Sequence, residues 1–314
     1  MVFLTALQVA LEFAIFVFLG LFIVRIGLVG PDFRAQLAKY VTNVALPCMI
    51  ARTLYAQDDR FSGMGRVMLL AILTVAVLLA VGEIVCLLSK KSEAGKSARF
   101  SMAFGNFTFM GFPVVENLFG ADGLFVFTLF TVPVRLFFYS LPGFLLRGEG
   151  SDAKRLTGKE LLKLVFSPPI VAVIVGLILY FLRLKPPLFA DKAVQALGST
   201  ASVLGMLLVG MGMAGISGKT LWQRRSALLI VLTKAILSPL VMLGLFLLFP
   251  LDGESKKVLF MYGAVPVPSL LTAFSYNNGR SEAACEEASA AVLLSTLLSV
   301  VTLPLWAAVG EHFF

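Results

Sequence analysis

Charge is what this chain has least of. Only 14% of its 314 residues are Asp, Glu, Lys or Arg, whereas a soluble domain carries about a quarter. That deficit excludes a sizeable water-soluble domain. A single histidine, His312, leaves the interior without imidazole for acid–base or metal chemistry. The three cysteines, Cys48, Cys86 and Cys285, lie far apart in or near apolar runs. No metal-type spacing links them, and they read as small packed thiols. Long polar stretches are also missing, the longest being RGEGSDAKRLTGKE at 147–160. At the start, MVFLTALQVALEF has no basic segment ahead of its long apolar run, so a retained first helix is expected rather than a cleaved signal.

What fills the chain is apolar: 59% of residues are hydrophobic and the mean hydropathy is +0.93. A membrane-crossing helix needs about 20 apolar residues, and the sequence offers roughly ten such runs. An all-α membrane protein of ten transmembrane helices is predicted, with the lipid bilayer as its main partner. Residues 1–146 hold the first five helices, 147–160 form a short cytoplasmic linker, and 161–314 hold the second five. Because each half has an odd number, the second enters the membrane in the opposite sense, which makes an inverted repeat.

The net charge of +8 comes mainly from short loops, with no basic patch carrying interleaved aromatics. It therefore reads as a topology signal and not as a nucleic-acid site. The loops after helices 1, 3, 5, 7 and 9 hold nearly twice the Lys and Arg of the others. Both termini are accordingly expected outside the cytoplasm, in a multi-pass protein of the inner cell membrane. Helix 7 places Gly198, Gly205 and Gly212 seven residues apart on one face, a pattern for close helix packing.

Two hydrophobic segments are broken by polar and helix-breaking residues: GNFTFMGFPVVEN at 105–117 in helix 4 and AVPVPSLLTAFSYNN at 264–278 in helix 9. Broken backbone at membrane depth survives only where it packs in protein or lines a watery cavity. A half-helix N-terminus there attracts an anion, and a C-terminus attracts a cation. The pair predicts a small polar substrate site built from Asn106, Thr108, Gly111, Pro113, Pro266, Pro268, Ser269 and Thr272. The competing reading is ordinary proline kinks patched by Ser, Thr and neighbouring helices.

Arg135 and Lys234 are the basic residues deepest in apolar runs, each costing about 2.5–3.5 kcal/mol at a helix centre unless a partner or water is near. Either they supply positive potential for an organic anion, or they snorkel or pair with Glu12, Glu83 or Glu116. Glu83 and Glu116 are also candidates for coupling to Na⁺ or H⁺. Three other patterns are rejected. GKT at 218–220 lacks the P-loop glycine and strand. In GISG at 215–218, Ser217 has no base partner. The sequon Asn106-Phe107-Thr108 lies at membrane depth.

The helix 4 stretch GNFTFMGFPVVENLFG resembles the Gly-Asn…Gly-x-Pro signature of the auxin efflux carrier family, whose bacterial members include malate- and malonate-type transporters. NVALP in helix 2, Lys234 with its following Ser-Pro, VPVP in helix 9 and ASAAVLLSTLLSVVTLPLW in helix 10 are similar as well. The resemblance covers essentially the whole chain. It implies a fold related to that of the bile acid/Na⁺ symporters, with helices 4 and 9 crossing at their prolines beside the substrate. It also implies elevator motion of helices 3–5 and 8–10 against helices 1, 2, 6 and 7, and a homodimer. Members often carry Asn four residues after the helix 9 proline, where this chain has Leu270. The expected function is a secondary transporter of a small organic anion, a carboxylate, working without cofactor or metal. A channel or a substrate-sensing protein on the same fold is the alternative. A membrane enzyme would need paired acids, a metal cluster or a Ser/His pair in the helices, and the sequence offers none.

Overall fold

The computed structural model describes residues 2–57, 63–148, 167–214 and 225–314. Among these, every regular element is helical, as expected of backbone that must satisfy its own polar groups in lipid. α1 (Val2–Arg25) is followed by α2 (Pro31–Tyr40), a π-helical turn (Val41–Ala45) and α3 (Leu46–Tyr55). α4 (Met64–Leu88) leads to α5 (Glu93–Ala103), a break at 104–106, a second π turn (Phe107–Gly111) and α6 (Phe112–Ser140). Gly120 bends α6 with φ 65° and ψ −159°. α7 (Pro142–Leu145) is one turn long; α8 (Pro168–Leu182) and α9 (Leu188–Met213) follow. α10 (Ala227–Leu232) runs through a third π turn (Thr233–Leu237) into α11 (Ser238–Leu248). A break at 265–270 separates α12 (Gly253–Ala264) from α13 (Leu271–Asn277), and α14 (Glu282–Phe313) ends the chain.

Proline explains the π turns. A proline inside a helix has no N–H to donate, and its ring presses on the carbonyl four residues earlier. For Pro47, Pro113 and Pro239 those residues are Asn43, Phe109 and Ala235, and each lies within a π turn. The extra residue in the turn moves the backbone clear of the ring. The released carbonyl of Ala235 accepts from Trp306 Nε1 at 2.8 Å. Pro133 and Pro304 are accommodated inside α6 and α14 without such a turn.

Among the described residues, six segments are individually long and apolar enough to cross a bilayer: α1, α4, the run from α5 through α6, α9, α10–α11 and α14. Ten were expected. The difference falls on segments that are short, interrupted or joined. α8 has 15 residues, α2–α3 and α12–α13 are divided, and the expected helices 4 and 5 run on through the Gly120 bend. Most of the expected linker at 147–160, the start of helix 6 at Leu161, and the rejected motifs around Ser217 lie outside the described residues.

Two sets of helices meet along α1, which packs on α9 of its own set and on α14 of the other. In the first, α1 and α9 approach so closely that a Cβ on Gly20 or Gly210 would run into the carbonyl oxygens of Leu207 and Val17. Gly198 lets α9 meet the Met49 backbone of α3, and Asp191 accepts from Arg52 Nε at 3.2 Å and Tyr55 Oη at 2.9 Å. α8 lies against α3. The second group joins α4–α7 to α10–α14. There the buried Arg280 donates from Nε to Glu93 Oε2 at 2.7 Å and from Nη1 to Ser97 and Ser275 at 2.7 and 3.0 Å. Arg99 pairs with Glu83 and donates to the Leu145 carbonyl at 2.6 Å. The seam between the two groups holds the cavity described next.

Candidate functional site

The two breaks touch. The Asn106 N–H donates to the Pro266 carbonyl at 2.8 Å. Gly105 permits the approach, because a Cβ there would lie 2.5 Å from Val265 Cγ2 and 3.0 Å from Lys234 Nζ. Behind the contact, the carbonyl ends of α5 and α12 are capped by side chains. Ser238 Oγ donates to Met102 O at 3.1 Å and Tyr262 Oη to Ala103 O at 2.7 Å. Lys234 Nζ donates toward Ser238 Oγ at 3.3 Å and Tyr262 O at 3.5 Å. Lys234 is completely buried and stands at the negative ends of two half-helices, where a cation is favoured.

In front of the contact, Asn106 opens the π turn that leads into α6. Its Oδ1 accepts from the Phe109 N–H at 3.3 Å, and its carbonyl accepts from Met110 and Gly111 at 3.1 and 3.0 Å. That cap orients the amide, and Nδ2 is left buried with no partner. Phe107 and Thr108, first in the turn, have N–H groups with no acceptor inside the helix. All three residues line a cavity of about 350 Å³ between the helix groups.

Arg135 lines the same cavity from α6. The residue is only 2% exposed, and its Nη2 is also buried without a hydrogen-bond partner. The guanidinium lies 5.1 Å from the Phe107 ring centroid and 5.6 Å from that of Phe112. Such contacts contribute about 0.5–2 kcal/mol each and leave Nη2 without a hydrogen bond. Among the described residues no carboxylate pairs with it, and none lines the cavity. Among the described residues the lining combines two guanidinium groups, the Asn106 amide and several hydroxyls with apolar walls, and holds no carboxylate.

Of the residues expected from sequence, Asn106, Thr108, Arg135, Pro268 and Ser269 meet at this cavity. Gly111 packs behind it, with room for a Cβ only 3.0 Å from Phe127 Cζ. Pro266 holds Asn106 through its carbonyl, and the Pro113 carbonyl accepts from Asn117 Nδ2 at 2.9 Å. Thr272 is turned to Ser289, with their hydroxyls 3.1 Å apart. Lys234 is occupied at the half-helix ends. Glu83 is engaged by Arg99 and Glu116 hydrogen-bonds Ser202, so neither reaches Arg135 or Lys234, and neither lines the cavity. Glu12 is exposed on α1. Leu270 adds an apolar wall where an amide was the family's usual residue. Sequence reasoning missed Arg34, Thr42 and Tyr139, which also line the cavity. In the sequence Arg34 is one of the loop charges after helix 1; the packing of α2 on α9 puts it here.

Residues 6–307 match the family described as "Membrane transport protein". The chain belongs to that family. It is the auxin efflux carrier type that the helix 4 and helix 10 motifs resemble. Relatives of this membrane transport protein include one from Methanothermobacter thermautotrophicus (strain Delta H), described as an uncharacterized transporter. It is 26% identical over 316 residues, spanning 98% of this chain and 100% of its own length. Family and apolar helices together mark a multi-pass membrane protein of transport function.

Proposed function

We propose that this membrane transport protein is a secondary transporter that carries a small organic anion, a carboxylate, across the inner cell membrane by alternating access. One observation carries the reading: Arg135 Nη2 and Asn106 Nδ2 are buried donors without hydrogen-bond partners among the described residues, and both residues line one cavity. Carboxylate oxygens satisfy such donors through charge-assisted hydrogen bonds, and the half-helix starting at Asn106 adds partial positive charge. The volume suits a small molecule.

The same reading takes α5–α6 and α12–α13 as the paired broken helices 4 and 9 of a ten-helix, 5+5 inverted repeat with both termini extracytoplasmic. Elevator motion then carries α4–α7 and α10–α14 against α1–α3, α8 and α9, and the position of the cavity on the seam between these groups supports it. Transport proceeds without a cofactor, in a homodimer. Counterflow in proteoliposomes, with a panel of mono- and dicarboxylates under separately imposed Na⁺, pH and voltage gradients, tests the proposal. Saturable, trans-stimulated flux of at least one carboxylate is expected. Single-channel currents, or binding without flux, would replace the carrier by a channel or a sensor.

A further inference from the structure

Arg34 has no role in the crossing, yet it lines the cavity together with Arg135, and these are the only charged residues that do so among those described. It also lines a second space of about 540 Å³, walled by Val24, Gly30, Met211 and Ala214 near the ends of α1 and α9. Arg34 and Ala38 are common to both spaces, which marks a path from the α2 N-terminus to the crossing. Thr42 and Leu46 line the cavity further along the same helix, and at 1.5 Å per residue Thr42 stands about 12 Å beyond Arg34. Arg34 is therefore at the mouth and Arg135 at the depth.

The guanidinium is placed and free. Gly212 of α9 leaves room for it, since a Cβ there would stand 2.9 Å from Arg34 Nη2. Asp32, two residues back, is on another side of the helix, and no carboxylate is paired with Arg34 among the described residues. A lone cation in an apolar-walled passage concentrates anions of low molecular weight there. Arg34 and Gly212 belong to the helix group that does not carry Asn106 and Arg135, so this charge stays behind when the groups shift.

We propose that Arg34 is a capture residue, which binds the carboxylate at one mouth of the pathway before Arg135 and Asn106 receive it. The proposal rests on the transport reading above and adds a sidedness to it: Arg34 serves only substrate arriving from its own face.

Two measurements test this. With radiolabelled malonate as probe, transport is measured in right-side-out and inside-out membrane vesicles. Arg34→Gln is expected to raise KM about five- to twentyfold from one face, leaving the opposite-face KM within about twofold, while Arg34→Lys retains most of the affinity. An unchanged KM, or an equal rise from both faces, overturns the proposal. In the second, Ala38→Cys, at a position lining both spaces, is made in a chain whose Cys48, Cys86 and Cys285 are replaced by Ser. Impermeant thiol reagents should then label it from one face only. The anionic reagent should gain over the cationic one, and Arg34→Gln should reduce that gain. Labelling from both faces, or no charge preference, overturns the proposal without reference to transport. If wild-type protein moves no carboxylate yet labels as expected, the transport reading falls and the anion mouth at Arg34 stands.

Discussion

Asn106 joins two properties that substitution can separate. Its Oδ1 caps the turn leading into α6, and its Nδ2 is a buried donor with nothing to bind. Asn106→Ala removes both, and is expected to cost about 1 kcal/mol of stability through the lost cap while weakening anion binding. Asn106→Asp keeps an acceptor at the cap and suits the positive helix end, but it sets a negative charge where the ligand's oxygens belong. Melting temperature in detergent should therefore stay near wild type for Asn106→Asp while carboxylate binding is lost; binding equal to wild type would remove Asn106 from the site. Lys234 acts at a different place. Its ammonium sits at the carbonyl ends of α5 and α12, a position where broken-helix transporters hold a coupling cation. With that cation built in, flux at fixed pH and voltage should not change when choline replaces Na⁺. Flux that disappears without Na⁺ would contradict this.

At the scale of elements, the glycines separate packing from permissiveness. A Cβ on Gly210 would meet the Val17 carbonyl across the α1–α9 contact, whereas one on Gly244 of α11 would meet nothing within 4 Å. Gly210→Ala is expected to destabilise the protein by about 1–3 kcal/mol, and Gly244→Ala to leave the melting temperature unchanged. Equal melting of the two variants would refute the account of α1 and α9. The breaks at these elements were legible because Gly and Pro inside apolar runs have a direct backbone consequence, and Asn106 beside them reads as a polar group of the site; its capping role was not read. The π turns were not read, although Pro47, Pro113 and Pro239 determine their places: a proline announces a kink, but the way the kink is relieved depends on neighbours such as Trp306. Arg34 was illegible for a similar reason. Its charge is visible in the sequence, while the gap left by Gly212 that positions it belongs to the packing of α2 on α9.

For the whole molecule, the cavity lies between the two sets of helices that the proposed transport would move past one another. The cavity extends toward Arg34 at one end of the α2–α3 segment. At the other end Gln57 Nε2 donates to Asp122 Oδ1 at 2.7 Å and bridges the groups. Helical content and membrane class could be read from composition alone. The partition into groups follows from the family resemblance rather than from composition, and contacts such as Arg280 with Glu93 and Asp191 with Arg52 each lie within one group. Arg135 links all of this to the proposed function, as a buried cation that meets no carboxylate among the described residues, at the junction of both groups. The most direct test is counterflow of a radiolabelled carboxylate panel in proteoliposomes, comparing wild type with Arg135→Gln at equal amounts of folded protein. The account predicts saturable, trans-stimulated exchange by wild type and a rise in KM of about 100-fold in the variant, corresponding to roughly 3 kcal/mol for a buried charge-assisted contact. Exchange by Arg135→Gln with unchanged KM, or no exchange of any carboxylate by folded wild-type protein, would contradict it.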